Sequence, residues 1–427
     1  MQLPKYDSYK DSGVAWLGEI PEHWECDCIR AATTLKSEKN QPDLEVLSVY
    51  REYGVIPKDS RDDNHNATSL DTSAYKVVKP GDLVVNKMKA WQGSMGVSEH
   101  EGIVSPAYIT CKTNQEDFHP KYLHYLLRSK TYVGVYNAIS YGVRVGQWDL
   151  RYEDFKKITI PIPTKTEQER IVSFLDQKTA EINEAIAKKQ KLIELLQEQK
   201  SILINQAVTK GLNPDAPMKD SGVEWIGEIP AHWEVKRLKY ASKIFRGKFT
   251  HRPRNDQRLY DGEYPFIQTG DVARAGKFVT SFKQTLNEKG LRVSTLVPSG
   301  TVVITIAANI GDVAIIDFDA CFPDSVVGFS PHSMMDRDFL YYSMTAMKNV
   351  FIRSTTKNTQ MNLNVESVGS NQITIPPHEE QINIVSYIER ILEEQSSLSL
   401  NYESQINLLQ EYKQSLISSA VTGKIKV

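Results

Sequence analysis

Cysteine is scarce. The 427-residue chain contains 4, too few for a disulfide framework in a protein of this size. Cys26 and Cys28 stand two apart with no histidine pair nearby, which is not the spacing of a zinc site. All four are expected as reduced thiols in a cytoplasm. Long apolar runs are also missing, and none approaches the roughly 18–20 residues a membrane-spanning helix needs. Residues 1–13, MQLPKYDSYKDSG, have neither a basic nor an apolar region, so no signal peptide is expected. Charge of one sign is lacking too: 51 Lys and Arg face 53 Asp and Glu, for a formal net charge of −2. Any attraction for a polyanion must therefore come from local clustering of cations.

Catalytic signatures are absent. Gly247-Lys248 and Gly423-Lys424 lack the remaining residues of a phosphate-binding loop. Neither an Asn-Pro-Pro-aromatic tetrapeptide nor a G-x-G-x-x-G is found. His119 and His124 lie five apart without an accompanying acidic helix, so no metal site is expected.

What the chain does have is a duplication. Residues 10–25, KDSGVAWLGEIPEHWE, return as KDSGVEWIGEIPAHWE at 219–234, an offset of 209. Residues 160–175, IPIPTKTEQERIVSFL, return as ITIPPHEEQINIVSYI at 373–388, and 195–211 return at 408–424. The second offset stays at 213 to the end of the repeat. Each copy thus has a short leader, a variable region (about 26–157 and 235–372) and a shared tail. Common ends around divergent middles imply one scaffold carrying two different readers.

The tails are predicted helices. Ile171, Leu175, Ile182, Ile186, Ile193, Leu196, Leu203 and Ala207 recur at coiled-coil spacing. In the second tail Ile384, Ile388, Tyr402, Ile406, Leu409, Leu416 and Ala420 match them, while Gln395 and Ser399 soften the middle. Forty-odd residues give a rod of roughly 60–65 Å. Only residues 211–217, GLNPDAP, separate the first tail from the second leader, so paired helices must run antiparallel with the chain ends close together. The variable regions read as mixed α/β, with strands at 82–86 and 301–304 and a helix late in each, at 122–127 and 339–347. His23, His232 and the leader tryptophans Trp16, Trp24, Trp225 and Trp233 read as structural anchors.

A basic run points to nucleic acid. Between Lys236 and Arg258 stand nine cations against Asp256 alone, with Phe245, Phe249 and His251 interleaved. Arg246, Lys248, Arg252 and Arg254 are its candidate contacts. A solvated loop is the plainer alternative. In the first variable region the candidates are Lys87, Lys89, Trp91 and Gln92, with Tyr141, Arg144 and Gln147 in a glycine-bearing loop. Lys357, Asn358 and Gln360 are the second region's equivalents, Gln360 aligning with Gln147. Arg can fork onto guanine and Gln or Asn onto adenine.

The leader G-x-I-P-x-H-W (Gly18–Trp24, Gly227–Trp233), the Glu-Gln-x-x-Ile-Val helix starts (Glu167–Val172, Glu380–Val385) and the Ala-Val-Thr exits (Ala207–Thr209, Ala420–Thr422) carry a family likeness. The chain resembles specificity subunits of type I restriction–modification systems, the HsdS family. The resemblance implies two mixed α/β target-recognition domains (1–163 and 211–376, each with its leader). They would be separated by two long antiparallel coiled-coil helices (164–210 and 377–427) in a pseudo-twofold repeat. It implies a double-stranded, bipartite DNA target and partnership with two modification (methyltransferase) subunits, plus restriction/translocase subunits for cleavage. It also implies no catalysis and no cofactor of the chain's own: S-adenosylmethionine, ATP and Mg would belong to partners. The residues alone leave open a coiled-coil adaptor that binds only protein, and a self-contained methyltransferase or nuclease.

Overall fold

A computed structural model describes residues 3–61, 68–69, 71–142, 148–354 and 363–427. It forms two compact units, Met1–Gln190 with Glu403–Val427, and Lys191–Tyr402. Both are mixed α/β.

The first unit is built on four antiparallel strands, β1 (Thr33–Lys36), β2 (Leu83–Val85), β3 (Met95–Val97) and β4 (Ile109–Thr113), in the order β1-β4-β2-β3. All three residues of β2 are buried, because Leu83 and Val85 face the main core while Val84 enters a smaller one behind the sheet. That explains why the segment reads as a continuous apolar run instead of an alternating one. Helix α1 (Pro120–Arg128) starts on a proline that gives up no helical hydrogen bond, and buries Tyr122, Leu123, Leu126 and Leu127 in the same core. The long helix α2 (Lys165–Lys210) begins just after Pro161 and Pro163.

The second unit repeats the plan. Strands β5 (Ser242–Arg246), β6 (Phe278–Val279), β7 (Val302–Thr305), β8 (Val313–Ile316) and β9 (Val326–Pro331) lie in the order β5-β9-β7-β8-β6. The first four positions match β1-β4-β2-β3, and β6 is an added edge strand parallel to β8. Helix α3 (Arg337–Ala346) is capped by Asp336, whose carboxylate accepts from the Asp338 and Phe339 amides at 2.9 Å each. The second long helix, α4, spans His378–Val421.

Within each unit the long helices pair antiparallel, as expected. In the first, Ile171, Val172, Leu175 and Ile182 share a core with Leu416, Ile417, Ala420 and Val421. Lys413 donates to Asn183 (2.8 Å), and further along Lys189 meets Gln405. In the second, Ile204, Ala207 and Val208 pack with Ile384, Val385 and Ile388. The polar middle is also observed: Gln395 meets Gln199 at 3.5 Å, and Leu192 and Leu195 are exposed. The chain ends lie together in the first unit, where the Lys426 amide donates to the Pro4 carbonyl at 2.8 Å.

The leaders prove to be fasteners. Strand Glu25–Cys28 pairs with Thr159–Ile162, and strand Glu234–Arg237 with Gln372–Ile375, so each leader lies along the approach to a long helix. There His23 Nε2 lies 3.0 Å from Glu167, and the Trp24 indole donates to the same carboxylate at 3.4 Å. In the second unit His232 and Trp233 hold Glu380 at 2.7 and 2.9 Å. Thr164 and Glu167 complete a reciprocal cap on α2. The next residue in each helix is a fully buried glutamine. Gln168 accepts from the His119 amide (2.7 Å) and donates to Asp117 and Pro163 carbonyls (3.0 and 3.1 Å). Gln381 does the same with Asp336, Met334 and Pro376 (2.7, 2.9 and 2.8 Å). The opposite helix ends on the same tryptophan: Gly423 and Gly211 adopt φ of 73° and 72°, and an added Cβ would meet Trp24 or Trp233 at 3.1 or 3.0 Å.

Gln168→Ala leaves three backbone groups without a partner and is expected to cost about 2–4 kcal/mol, read by denaturant unfolding. Burial would raise the Glu167 carboxyl, but hydrogen bonds from His23, Thr164 and Trp24 outweigh it and hold it below its ordinary value. Its contribution to stability is therefore complete above the unfolded carboxyl's pKa and fades as pH falls through the depressed folded value. The melting-temperature gap between the wild type and Glu167→Gln should accordingly shrink from pH 7 to pH 3. A gap unchanged by pH would contradict this.

Candidate nucleic-acid interface

In the second unit the basic run is gathered by a turn it does not contain. Gly247 follows β5 and passes so close to residues 322–323 that an added Cβ would sit 2.2 Å from the Pro323 carbonyl oxygen. Its amide donates to Val326 at 2.9 Å. That approach brings Asp324 beside three guanidiniums. Arg246 Nε donates to the Asp324 carbonyl (2.6 Å), Arg254 pairs with its carboxylate (2.5 Å), and Arg252 lies 3.8 Å away. Arg252 is further held by the Phe249 and His251 carbonyls, both at 2.8 Å. Three cations gathered around one acidic residue leave a local excess of two positive charges. Both Arg252 and Arg254 are about half exposed, so they can reach an incoming anion. Lys248 is exposed, and its carbonyl accepts from the Ser294 hydroxyl at 2.8 Å.

Two members of the run are otherwise engaged. Arg258 forks onto Asp256 at 2.8 and 3.0 Å, holding that carboxyl far below its usual range, and Lys236 pairs with Glu234 at 2.8 Å.

In the first unit Lys87, Trp91 and Tyr141 are brought together. The Leu150 amide donates to the Lys87 carbonyl (3.0 Å), and the Lys87 ammonium meets Asp149 at 3.3 Å. Tyr141 exchanges two backbone bonds with Asp149 (3.3 and 3.1 Å), and its hydroxyl donates to Asp154 at 2.8 Å. Trp91 sits edge-on to Trp148, with centroids 4.9 Å apart. Arg151 lies 4.8 Å above the Tyr141 ring. Lys89 is exposed beside the 3₁₀ turn Ala90–Gln92, whose Gln92 amide returns to the Lys89 carbonyl at 3.0 Å. Arg144, Gln147, Lys357, Asn358 and Gln360 lie outside the described residues. The attachment of the second loop repeats that of the first, since the Leu363 amide donates to the Ile306 carbonyl at 3.0 Å as Leu150 does to Lys87.

Sequence reasoning missed Trp148, Arg151, Asp324, Lys39 and Lys76. The Lys76 ammonium is pushed below its usual value by burial and then by the nearby charges of Lys39 and Lys87. The Lys76 ammonium is itself engaged, donating to the Tyr108 carbonyl. An aromatic flanked by arginine is a signal a sequence could have offered, for Tyr141 with Arg151. The placing of Asp324 among the arginines needs the fold.

The His119 backbone amide serves Gln168, and the His124 ring faces the Val97 carbonyl at 3.3 Å, with Arg128 beside its other nitrogen. Among the described residues no group of three or more His, Cys, Asp or Glu is arranged to hold a metal ion, and no helix is long and apolar enough to cross a membrane.

Comparison with known proteins extends these observations. Residues 36–195 and 230–408 match the family described as type I restriction modification DNA specificity domain. A relative from Methanocaldococcus jannaschii, provisionally named the type I restriction enzyme MjaX specificity subunit, is 25% identical, covering 100% of this chain and 99% of its own length. The StySPI specificity subunit of Salmonella potsdam is 19% identical, over 96% of this chain and 90% of that protein. Among solved structures, one described as the basis of complex assembly and conformational transition of the type I R-M system superposes with a TM-score of 0.70. It has 17% identity and covers 94% of this chain and 98% of that one. The HsdS subunit from Thermoanaerobacter tengcongensis gives 0.55 at 17% identity, over 95% and 98%. With the family match spanning both copies of the repeat, the chain belongs to the type I restriction–modification DNA specificity family.

Proposed function

We propose that this chain is the sequence-reading subunit of a type I restriction–modification complex. Its two readers, 1–163 and 211–376, each contact one half of a bipartite double-stranded DNA site. The helices within 164–210 and 377–427 serve as the spacer that fixes the gap. The observation that carries this reading is the pairing of a repeated frame with dissimilar surfaces. The same four-strand order and the same Glu-Gln fastener occur twice, yet one reader offers an arginine cluster around Asp324 and the other Lys87 on Asp149 beside a tryptophan pair.

A repeated scaffold suits two copies of one partner, here the modification subunits, with restriction/translocase subunits joining for cleavage. The chain performs no chemistry itself. Methylation requires an extruded adenine, and S-adenosylmethionine, ATP and Mg are assigned to the partners. A protein-only adaptor would not need exposed guanidiniums steered by a buried-backbone turn.

Methylome sequencing of cells carrying the complete system should find one motif with two half-sites and an unread gap. Replacing residues 26–157 with another reader should change one half and leave the other. A single continuous motif, or none, would defeat the proposal. Replacing Arg246, Arg252 and Arg254 together by alanine removes up to three phosphate neutralisations. The slope of log affinity against log salt should fall in magnitude by about 2–3, to a similar degree on specific and random duplexes. An unchanged slope would remove these arginines from the interface.

A further inference from the structure

The two long helices carry an acid at the same repeat position, eight residues beyond the buried glutamine: Asp176 after Gln168, and Glu389 after Gln381. Each acid is gripped by its own reader, but by opposite means. The amides of His119 and Asp336 make the same 2.7 Å bond to those glutamines, which aligns Lys121 with Asp338 and Tyr125 with Tyr342. In the first unit Lys121 pairs directly with Asp176 at 3.1 Å, and the Tyr125 hydroxyl donates to it at 2.7 Å. Glu99 lies 3.7 Å from the same ammonium.

In the second unit the facing residue is Asp338, so two acids would repel. Lys277, from the chain just before β6, enters between them and pairs with both Asp338 and Glu389. Its ammonium lies 5.3 Å from the rings of Phe278 and Tyr342. Arg337 shares Asp338 at 2.9 Å. Lys277 is one of the less exposed cations of the unit, with 18% of its side chain accessible. A mostly covered ion pair holds its geometry better than a solvated one, and breaking it from one side leaves an unpaired charge.

We propose that Asp176 and Glu389 are positioning residues that fix the angle of each reader on its long helix. The charge facing them, Lys121 or Asp338, is the key that decides whether the joint closes directly or only through Lys277. The edge strand β6 then has a purpose, because it anchors the bridging lysine. The DNA-reading half of this inference rests on the function proposed above; the joint itself does not.

The test uses the full chain assembled with its modification subunits, comparing Lys277→Ala, Lys277→Arg and Lys277→Ala/Asp338→Lys. Two quantities are read: amide hydrogen exchange over 337–346, and methylation of the cognate site against sites with the gap altered by one base pair. Lys277→Ala should speed exchange about tenfold and reduce the preference for the native gap about fivefold, with both half-sites unchanged. Asp338→Lys recreates the direct pair of the first unit and should restore both to within about twofold, as should Lys277→Arg. No effect of Lys277→Ala, or no rescue by Asp338→Lys in a complex that still assembles, overturns the key. Faster exchange with an unaltered gap preference overturns the positioning role. A wild-type complex that methylates no defined sequence instead refutes the DNA-reading proposal, while exchange still decides the joint.

Discussion

A carboxylate at the first turn of each long helix, met by a histidine and a tryptophan from nearly 150 residues earlier in the chain, is the contact on which the rest of each unit depends. Closing so long a loop carries an entropic cost, and an acid moved out of water is unfavourable unless donors surround it. Both conditions are met at one point. The indole and imidazole supply hydrogen bonds, the cap at Thr164 supplies two more, and the adjoining glutamine satisfies three backbone groups of the reader. The tryptophan also lies against the glycine that ends the antiparallel helix. One indole therefore secures a leader, the start of one helix and the end of the other.

That concentration leaves the rest of each reader free to differ. The reader meets the fastener through the leader and the short stretch of chain just before the helix that follows the sheet. The loops that hold Lys87, Trp91 and Tyr141, or Arg252 and Arg254, lie on other parts of the fold. The sheet can accept an edge strand in one copy and omit it in the other without disturbing the shared four-strand order. The polar stretch at Gln395 fits the same account, since packing within the helix pair is strongest near the fasteners, where Ile171, Leu175, Ile384 and Ile388 are buried.

Much of this frame was legible in the sequence because it is periodic or repeated. The seam at Ile171, Leu175 and Ile182 follows helical spacing, and Trp24 and Trp233 stand out by recurring in a short motif. Gln168 and Gln381 did not stand out, since a helical glutamine beside a glutamate ordinarily faces solvent; only the reader's amide explains their burial. Strand order was hidden for a different reason. Strands of three to five residues in the first unit carry little pattern, and their pairing joins segments far apart in sequence. The surface shows the same division. The run from Lys236 to Arg258 was visible, but which arginines remain available depends on Asp256, inside the run, and on Asp324, some 70 residues beyond it.

Asp324 also bears on how a chain of net charge −2 could hold DNA. Three unopposed guanidiniums would repel one another and sample many rotamers. Asp324 among them holds Arg254, and more loosely Arg252, through its carboxylate and Arg246 through its carbonyl before any phosphate arrives, so less conformational entropy is lost on binding. The cost is a weaker local field, which lowers attraction for any duplex irrespective of sequence. For a protein whose proposed task is to tell one site from many, weaker general attraction combined with a preset geometry favours discrimination over affinity. The first reader reaches a comparable end through Asp149, which pairs with Lys87 while the backbone on either side of it pairs with Tyr141. In both surfaces an acid embedded among cations orders the groups proposed to meet DNA.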